Sequence, residues 1–181
     1  MKKTTVLWCA ACVLLLAFAA AVNIPGSFLG DGSAAYTKTE TYGSAPGEIL
    51  PDFTAECLDG TVFTLSEHRG ETVVINLWAT WCAPCVKELT HFERLLREHG
   101  DGTAVLALHS ELVTEDVGAW IDANGCSLPA AVADSRELTD MLGGGDVLPR
   151  TVVISPDGTV LYNAAGSVTY EDLLRITGFG E

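Results

Sequence analysis

The sequence predicts an α/β protein built on a sheet with a mixed parallel and antiparallel edge. Three observations carry that expectation. Apolar runs of strand length, 73–78 (Val-Val-Ile-Asn-Leu-Trp) and 104–108 (Ala-Val-Leu-Ala-Leu), alternate with segments of helical periodicity. Both runs are nearly continuous, as in strands covered on both faces of a sheet. Further on, the runs 151–154 and 160–162 flank Pro156-Asp157-Gly158, which reads as a hairpin closing the order.

A length of 181 residues suits one N-terminal appendage and one domain. Lys2 and Lys3 precede an unbroken apolar run over 6–22, the pattern of a signal sequence or a single anchor helix. Its apolar length falls between a secretory core and a full span, and Ala17, Ala19, Ala20 and Ala21 offer cleavage sites. Residues 1–24 are therefore read as a signal sequence or N-terminal membrane anchor, with the lysines cytoplasmic and the remainder exported. Cys9 and Cys12, inside the run, read as small apolar residues. A lipoprotein site at Cys12 is disfavoured by the short run before it. Residues 25–48 are rich in Gly, Ser, Ala and Thr and read as a flexible linker with a reach of about 25–30 Å. The domain then spans 49–181. Without the two lysines the chain carries eight basic and twenty-four acidic residues, a net charge of −16. Such a surface argues against nucleic acid and anionic headgroups as partners and speaks of solubility, not substrate.

Within the domain, the stretch 49–57 and the run 61–65 around Asp59-Gly60 read as a first hairpin. A short turn follows at 66–70, then the buried strand 73–78. A helix carrying Val86, Leu89, Phe92, Leu95 and Leu96 runs to about His99, with Gly100 as its stop. After strand 104–108, Thr114 is expected to cap a helix with Glu115 and Asp116 in its first turn and Val117, Trp120 and Ile121 on one face. A short strand at 130–133 and a helix over 136–142 lead to the glycines at 143–145. After the closing hairpin, Thr169 and Asp172 mark the start of the last helix, which is expected to bury Leu173, Leu174 and Ile176.

The chemistry sits at Trp81-Cys82-Ala83-Pro84-Cys85, between the strand 73–78 and the helix that follows. A Cys-x-x-Cys at a helix start suits dithiol chemistry, because the helix N-terminus carries partial positive charge and free N–H groups that stabilise a thiolate. Cys82 is expected to be solvent-facing and nucleophilic, and Cys85, one turn in, the shielded resolving thiol. Pro84 fits the first turn, where a missing N–H costs nothing. A zinc half-site is the alternative, but no second Cys or His pair follows at ligand spacing, so no metal is expected. His68, His91, His99 and His109 read as surface or packing residues. Cys57 and Cys126 are open between a structural disulfide and buried free thiols.

On these residues the chain resembles thioredoxin, and its exported tether, N-terminal hairpin and extra helix and strand between Thr114 and Ala133 resemble the TlpA/ResA-like branch. The resemblance covers about 49–178, with Asn76, Trp78, Trp81, Cys82, Pro84, Cys85 and Glu88 in its motif. It implies a thioredoxin-like fold with an N-terminal β-hairpin and an extra helix–strand insertion in the middle. The family consists of bacterial extracytoplasmic thiol-disulfide oxidoreductases, some serving cytochrome c maturation. The family's cis-proline maps onto Pro149, so Leu148 is expected to face the cysteines and offer its backbone to a substrate chain, with Trp81 beside it. Thioredoxin proper has a buried Asp where this chain has Asn76. The resemblance implies that Glu88 replaces it and takes the proton of Cys85, the alternative being a solvent-exposed helix glutamate.

The expected activity is disulfide exchange with protein dithiols and disulfides through Cys82 and Cys85, with no cofactor. The spacer Ala83-Pro84 lacks the histidine associated with strongly oxidising relatives, which leans the reading to a reductant recharged by a membrane thiol-disulfide donor. Apocytochrome c is the first client by resemblance, and a monomer is expected. Rivals are an oxidase or isomerase for secreted proteins and, from another class, a copper-binding chaperone. A peroxidase is disfavoured because the expected threonine motif before a lone cysteine is absent.

Overall fold

A computed structural model of the protein describes residues 41–110, 116–144 and 146–180. The expected signal or anchor segment 1–24, the linker up to residue 40 and the Thr114 cap lie outside them. The first hairpin pairs β1 (Thr54–Glu56) with β2 (Val62–Thr64) in antiparallel register, Ala55 opposite Phe63. Gly60 takes the left-handed conformation (φ 84°) that its turn requires. A 3-10 turn over Leu65–His68 leads into β3 (Thr72–Trp78). There follow α1 (Ala83–His99), β4 (Thr103–His109), α2 (Val117–Asn124), β5 (Ala130–Val132), α3 (Arg136–Met141), β6 (Arg150–Ile154), β7 (Val160–Ala165) and α4 (Tyr170–Thr177).

The five-stranded sheet runs β5-β4-β3-β6-β7, with β3, β4 and β5 parallel and β6 and β7 antiparallel to their neighbours. Every residue of β3 is buried, because both faces of the sheet are covered. Val73, Ile75 and Leu77 pack toward the hairpin and α3, with Phe63, Leu138 and Leu142. Val74 and Trp78 pack toward α1, α2 and α4, with Phe92, Val117 and Leu173. By alternation Asn76 shares this second face, a polar residue in an apolar row.

Both outer strands are shielded by the N-terminal part of the chain. Leu58 N–H donates to the Ala130 carbonyl (2.8 Å) on the β5 side. On the β7 side Gly47 N–H donates to the Val160 carbonyl and Val160 N–H to the Glu48 carbonyl. These bonds cover part of each edge, which limits its use as a template for unwanted strand pairing. Residues 41–48 are thus part of the folded unit, where the sequence suggested a linker through 48; Thr41 and Gly43 bond to Ile49, and Gly47 and Glu48 to Val160 of β7.

Two local expectations are corrected, at the start of α2 and in the buried face of α4. The α2 cap is Asp116, whose carboxylate accepts from Ala119 N–H (2.9 Å), so the helix begins after Asp116 and not at Thr114. The helix expected over Val86, Leu89, Phe92, Leu95 and Leu96 forms as α1, and its buried stripe is Cys85, Glu88, Leu89, Phe92 and Leu95, with Val86 and Leu96 half-buried beside it. In α4 the capping box of Thr169 and Asp172 forms as expected, but Leu173 and Tyr170 are the buried residues and Leu174 and Ile176 only flank them.

Candidate active site

The turn between β3 and α1 is fixed before any chemistry begins. Cys82 N–H donates to the Ala79 carbonyl (3.0 Å), Ser110 N–H to the Trp78 carbonyl (2.9 Å), and Thr80 N–H to His109 Nε2 (3.2 Å). His109 is fully buried at the end of β4, edge-on to Trp78. It is a packing histidine, as expected, that also orients the approach to the cysteines. Cys82 is the N-cap of α1, Pro84 lies in its first turn, and no acidic residue stands there to oppose a thiolate.

Cys82 and Cys85 are joined by a disulfide, with Cα atoms 5.2 Å apart. Cys85 is fully buried, as expected, but Cys82 is not the solvent-facing sulfur the sequence suggested: it is only 4% exposed. Its bond to the buried Cys85 draws it into the apolar cluster with Trp78 and Ala79, on which Leu148 also packs. The exposed group is its neighbour Trp81, at 62%. The Leu148–Pro149 bond is cis, and it opens β6 next to β3, where Leu77 pairs with Arg150. Leu148 is half-buried, and Val147 before it is exposed.

Glu88 is 2% exposed, on the same face of α1 as Cys85. Residues three apart on a helix have Cβ atoms about 5–6 Å from each other, so the carboxylate lies beneath the disulfide side of the helix. Its Oε1 accepts from Asn76 Nδ2 (2.8 Å) and its Oε2 from Val168 N–H (3.0 Å), just ahead of α4. Burial pushes its pKa up to about 7, against the opposing hydrogen bonds from Val168, Asn76 and Ser167. The Asn76 amide also donates to the Arg150 carbonyl (3.4 Å), directly after Pro149. One side chain therefore connects the carboxylate to the cis-proline segment.

Cys57 and Cys126 are free thiols. They cannot approach, because Cys57 belongs to the core on the hairpin side and Cys126 packs against the core on the α1 side. Burial raises the pKa of each, so neither is an activated nucleophile. Among the described residues no cluster of His, Cys, Asp or Glu could hold a metal ion. Sequence reasoning placed Cys82, Cys85, Glu88, Leu148 and Pro149 in one neighbourhood. It missed Val168, His109 and Arg150 as structural partners of that site, since backbone donors and contacts across the sheet leave no local signature.

The model of the AhpC/TSA family matches residues 46–163. The thiol-disulfide oxidoreductase ResA of Geobacillus thermodenitrificans is 30% identical over 174 residues, covering 96% of this chain and 95% of that protein. Among solved structures, the exposed lipoprotein thioredoxin of Streptococcus pneumoniae superposes with a TM-score of 0.63 at 24% identity, covering 69% of this chain and 96% of that one. A thiol:disulfide interchange protein of the thioredoxin family from Chlorobium tepidum does so at 0.61 and 24%, covering 75% and 97%.

Proposed function

The chain belongs to the AhpC/TSA family and is a thiol-disulfide oxidoreductase of the ResA type, and on that premise we propose that it is an extracytoplasmic protein-disulfide reductant. The observation that carries the proposal is the pairing of a Cys82–Cys85 disulfide at the start of α1 with a buried carboxylate, on the same helix face, that titrates at about 7. A base with that pKa is poised to take a proton near neutral pH.

In the reduced protein the Cys82 thiolate, stabilised by the N-terminus of α1, attacks one sulfur of a client disulfide. A mixed disulfide forms and the client's other sulfur leaves as a thiolate. Cys85 then passes its proton to Glu88 and attacks Cys82 Sγ. The second client sulfur departs, and the Cys82–Cys85 bond is restored. Two electrons have moved to the client, and a membrane thiol-disulfide donor returns them. Trp81, Leu148 and Pro149 form the rim on which an extended client segment rests, its backbone paired to Leu148. Apocytochrome c in its disulfide form is the client that the family resemblance favours. The apolar segment before residue 25 supports export, with the domain tethered at the membrane or released as a monomer.

The reduction potential tests the direction. Equilibration of the Cys82–Cys85 couple in glutathione buffers should give a value near thioredoxin's, about −270 mV. A value near about −120 mV, that of a strong oxidant, would overturn the reductant reading in favour of an oxidase.

A further inference from the structure

Arg150 follows Pro149 and reaches both sides of the sheet. Its carbonyl accepts from Asn76 Nδ2 on the α1 side, and the same nitrogen donates to Glu88. Its side chain points to the other side, where Nη1 donates to Asn163 Oδ1 (2.8 Å). Asn163, on β7, lies opposite Val152 and so diagonal to Arg150 on the antiparallel pair. Its own Nδ2 donates to the Leu142 carbonyl (3.0 Å) after α3 and to the Ser44 carbonyl (2.9 Å) of the N-terminal segment. Gly143 closes over the pair. A Cβ there would stand 2.9 Å from both Arg150 Nη1 and Asn163 Nδ2, and its φ of +98° is one that side chains rarely adopt.

A purely structural staple would need only Asn163, which alone joins β7 to Leu142 and Ser44. The half-buried guanidinium adds cost, because its buried Nε has no acceptor among the described residues. An apolar side chain of similar length would fill the same space without it. What the guanidinium adds is a second hold on the residue whose carbonyl meets Asn76.

We propose that Arg150 and Asn163 are positioning residues for the exchange reaction, holding the chain after Pro149 so that the Asn76 amide stays directed at Glu88. The inference rests on the reading of Glu88 as the proton acceptor for Cys85. Without the anchor the carbonyl of residue 150 shifts, the amide of Asn76 loses one of its two acceptors, and its donation to the carboxylate weakens. The charged form of Glu88 is then less stabilised.

The test is the pH dependence of the reaction of the reduced protein with glutathione disulfide, for wild type, Glu88→Gln, Arg150→Met and Arg150→Lys, with thermal midpoints measured alongside. Glu88→Gln should remove one inflection. Arg150→Met should move that inflection upward by about half a pH unit or more, and Arg150→Lys, which restores a donor to Asn163, should return it toward wild type. A wild-type inflection in Arg150→Met, with only the thermal midpoint lowered, would overturn the inference and leave the role of Glu88 standing. An unchanged profile in Glu88→Gln would overturn both. Should Arg150→Met fail to fold, Arg150→Gln decides, since it is too short to reach Asn163 yet keeps a polar end, and the same upward movement is required of it.

Discussion

Glu88 Oε2 accepts the backbone N–H of Val168 at 3.0 Å, so a buried carboxylate on the active-site helix is fastened to the residue that precedes the cap of the last helix. The bond joins segments 80 residues apart in sequence. It lets α4 and α1 share one ionisable group, and the protonation state of that group is thereby linked to folding.

Replacing Glu88 by Gln should flatten the pH dependence of stability. Burial holds the folded-state pKa at about 7 against an ordinary 4.5, so between those values the folded protein keeps a proton the unfolded chain has released. The contribution is therefore complete below the unfolded value and lost as pH rises to about 7, by on the order of 3 kcal/mol. Thermal midpoints of the oxidised protein at about pH 5 and about pH 8 should differ more in wild type than in Glu88→Gln. Equal differences would show that Glu88 is not held neutral.

Asn76→Asp should make the protein alkali-sensitive. Asn76 donates to Glu88 at 2.8 Å in a site where both are buried. An aspartate can make that bond only while one of the two carboxyl groups is protonated, and two charges so close cannot both persist. The variant should approach wild-type stability at about pH 5 and lose clearly more than wild type by about pH 8. A parallel pH response in the two proteins would contradict the shared-proton picture.

Thr169→Ala should destabilise the fold by about 1 kcal/mol through loss of the α4 cap. The Thr169 hydroxyl accepts from Asp172 N–H, and the Asp172 carboxylate accepts from Thr169 N–H in return. Thr169→Ser, which keeps the hydroxyl, should recover most of the loss in urea titration. Equal loss in both variants would assign the effect to the missing methyl group instead.

Cys57 and Cys126 should remain alkylatable thiols in the oxidised protein after unfolding, identified by peptide mapping, and the double replacement by Ala should keep disulfide exchange intact. They lie on opposite sides of the sheet. Recovery of a peptide pair bridged by these two residues would contradict the fold.

Much of the architecture was legible because the signals are local. The continuous apolar runs gave β3 and β4, Asp59-Gly60 and Pro156-Asp157-Gly158 gave the two hairpins, and Thr169 with Asp172 gave the start of α4. Thr114 misled because the next residues also favour a helix start, and the choice of Asp116 as cap depends on how the helix docks. Residues 41–48 read as linker because they lack apolar periodicity. They are ordered by backbone bonds to β7, for which no side-chain pattern is needed.

The two cysteines, their spacing and the helix that follows them are matters of adjacent residues, and with them the sequence alone determined the kind of chemistry this protein performs. Whether Glu88 is a surface charge or a buried carboxylate was decided only by tertiary structure, because its burial comes from the sheet and from α4, which are remote in the chain. The same holds for Cys82, whose shielding depends on the apolar cluster around it, and for the Asn76–Arg150–Asn163 connection across the sheet. A pKa is set by everything that surrounds a group, and folding alone assembles those surroundings.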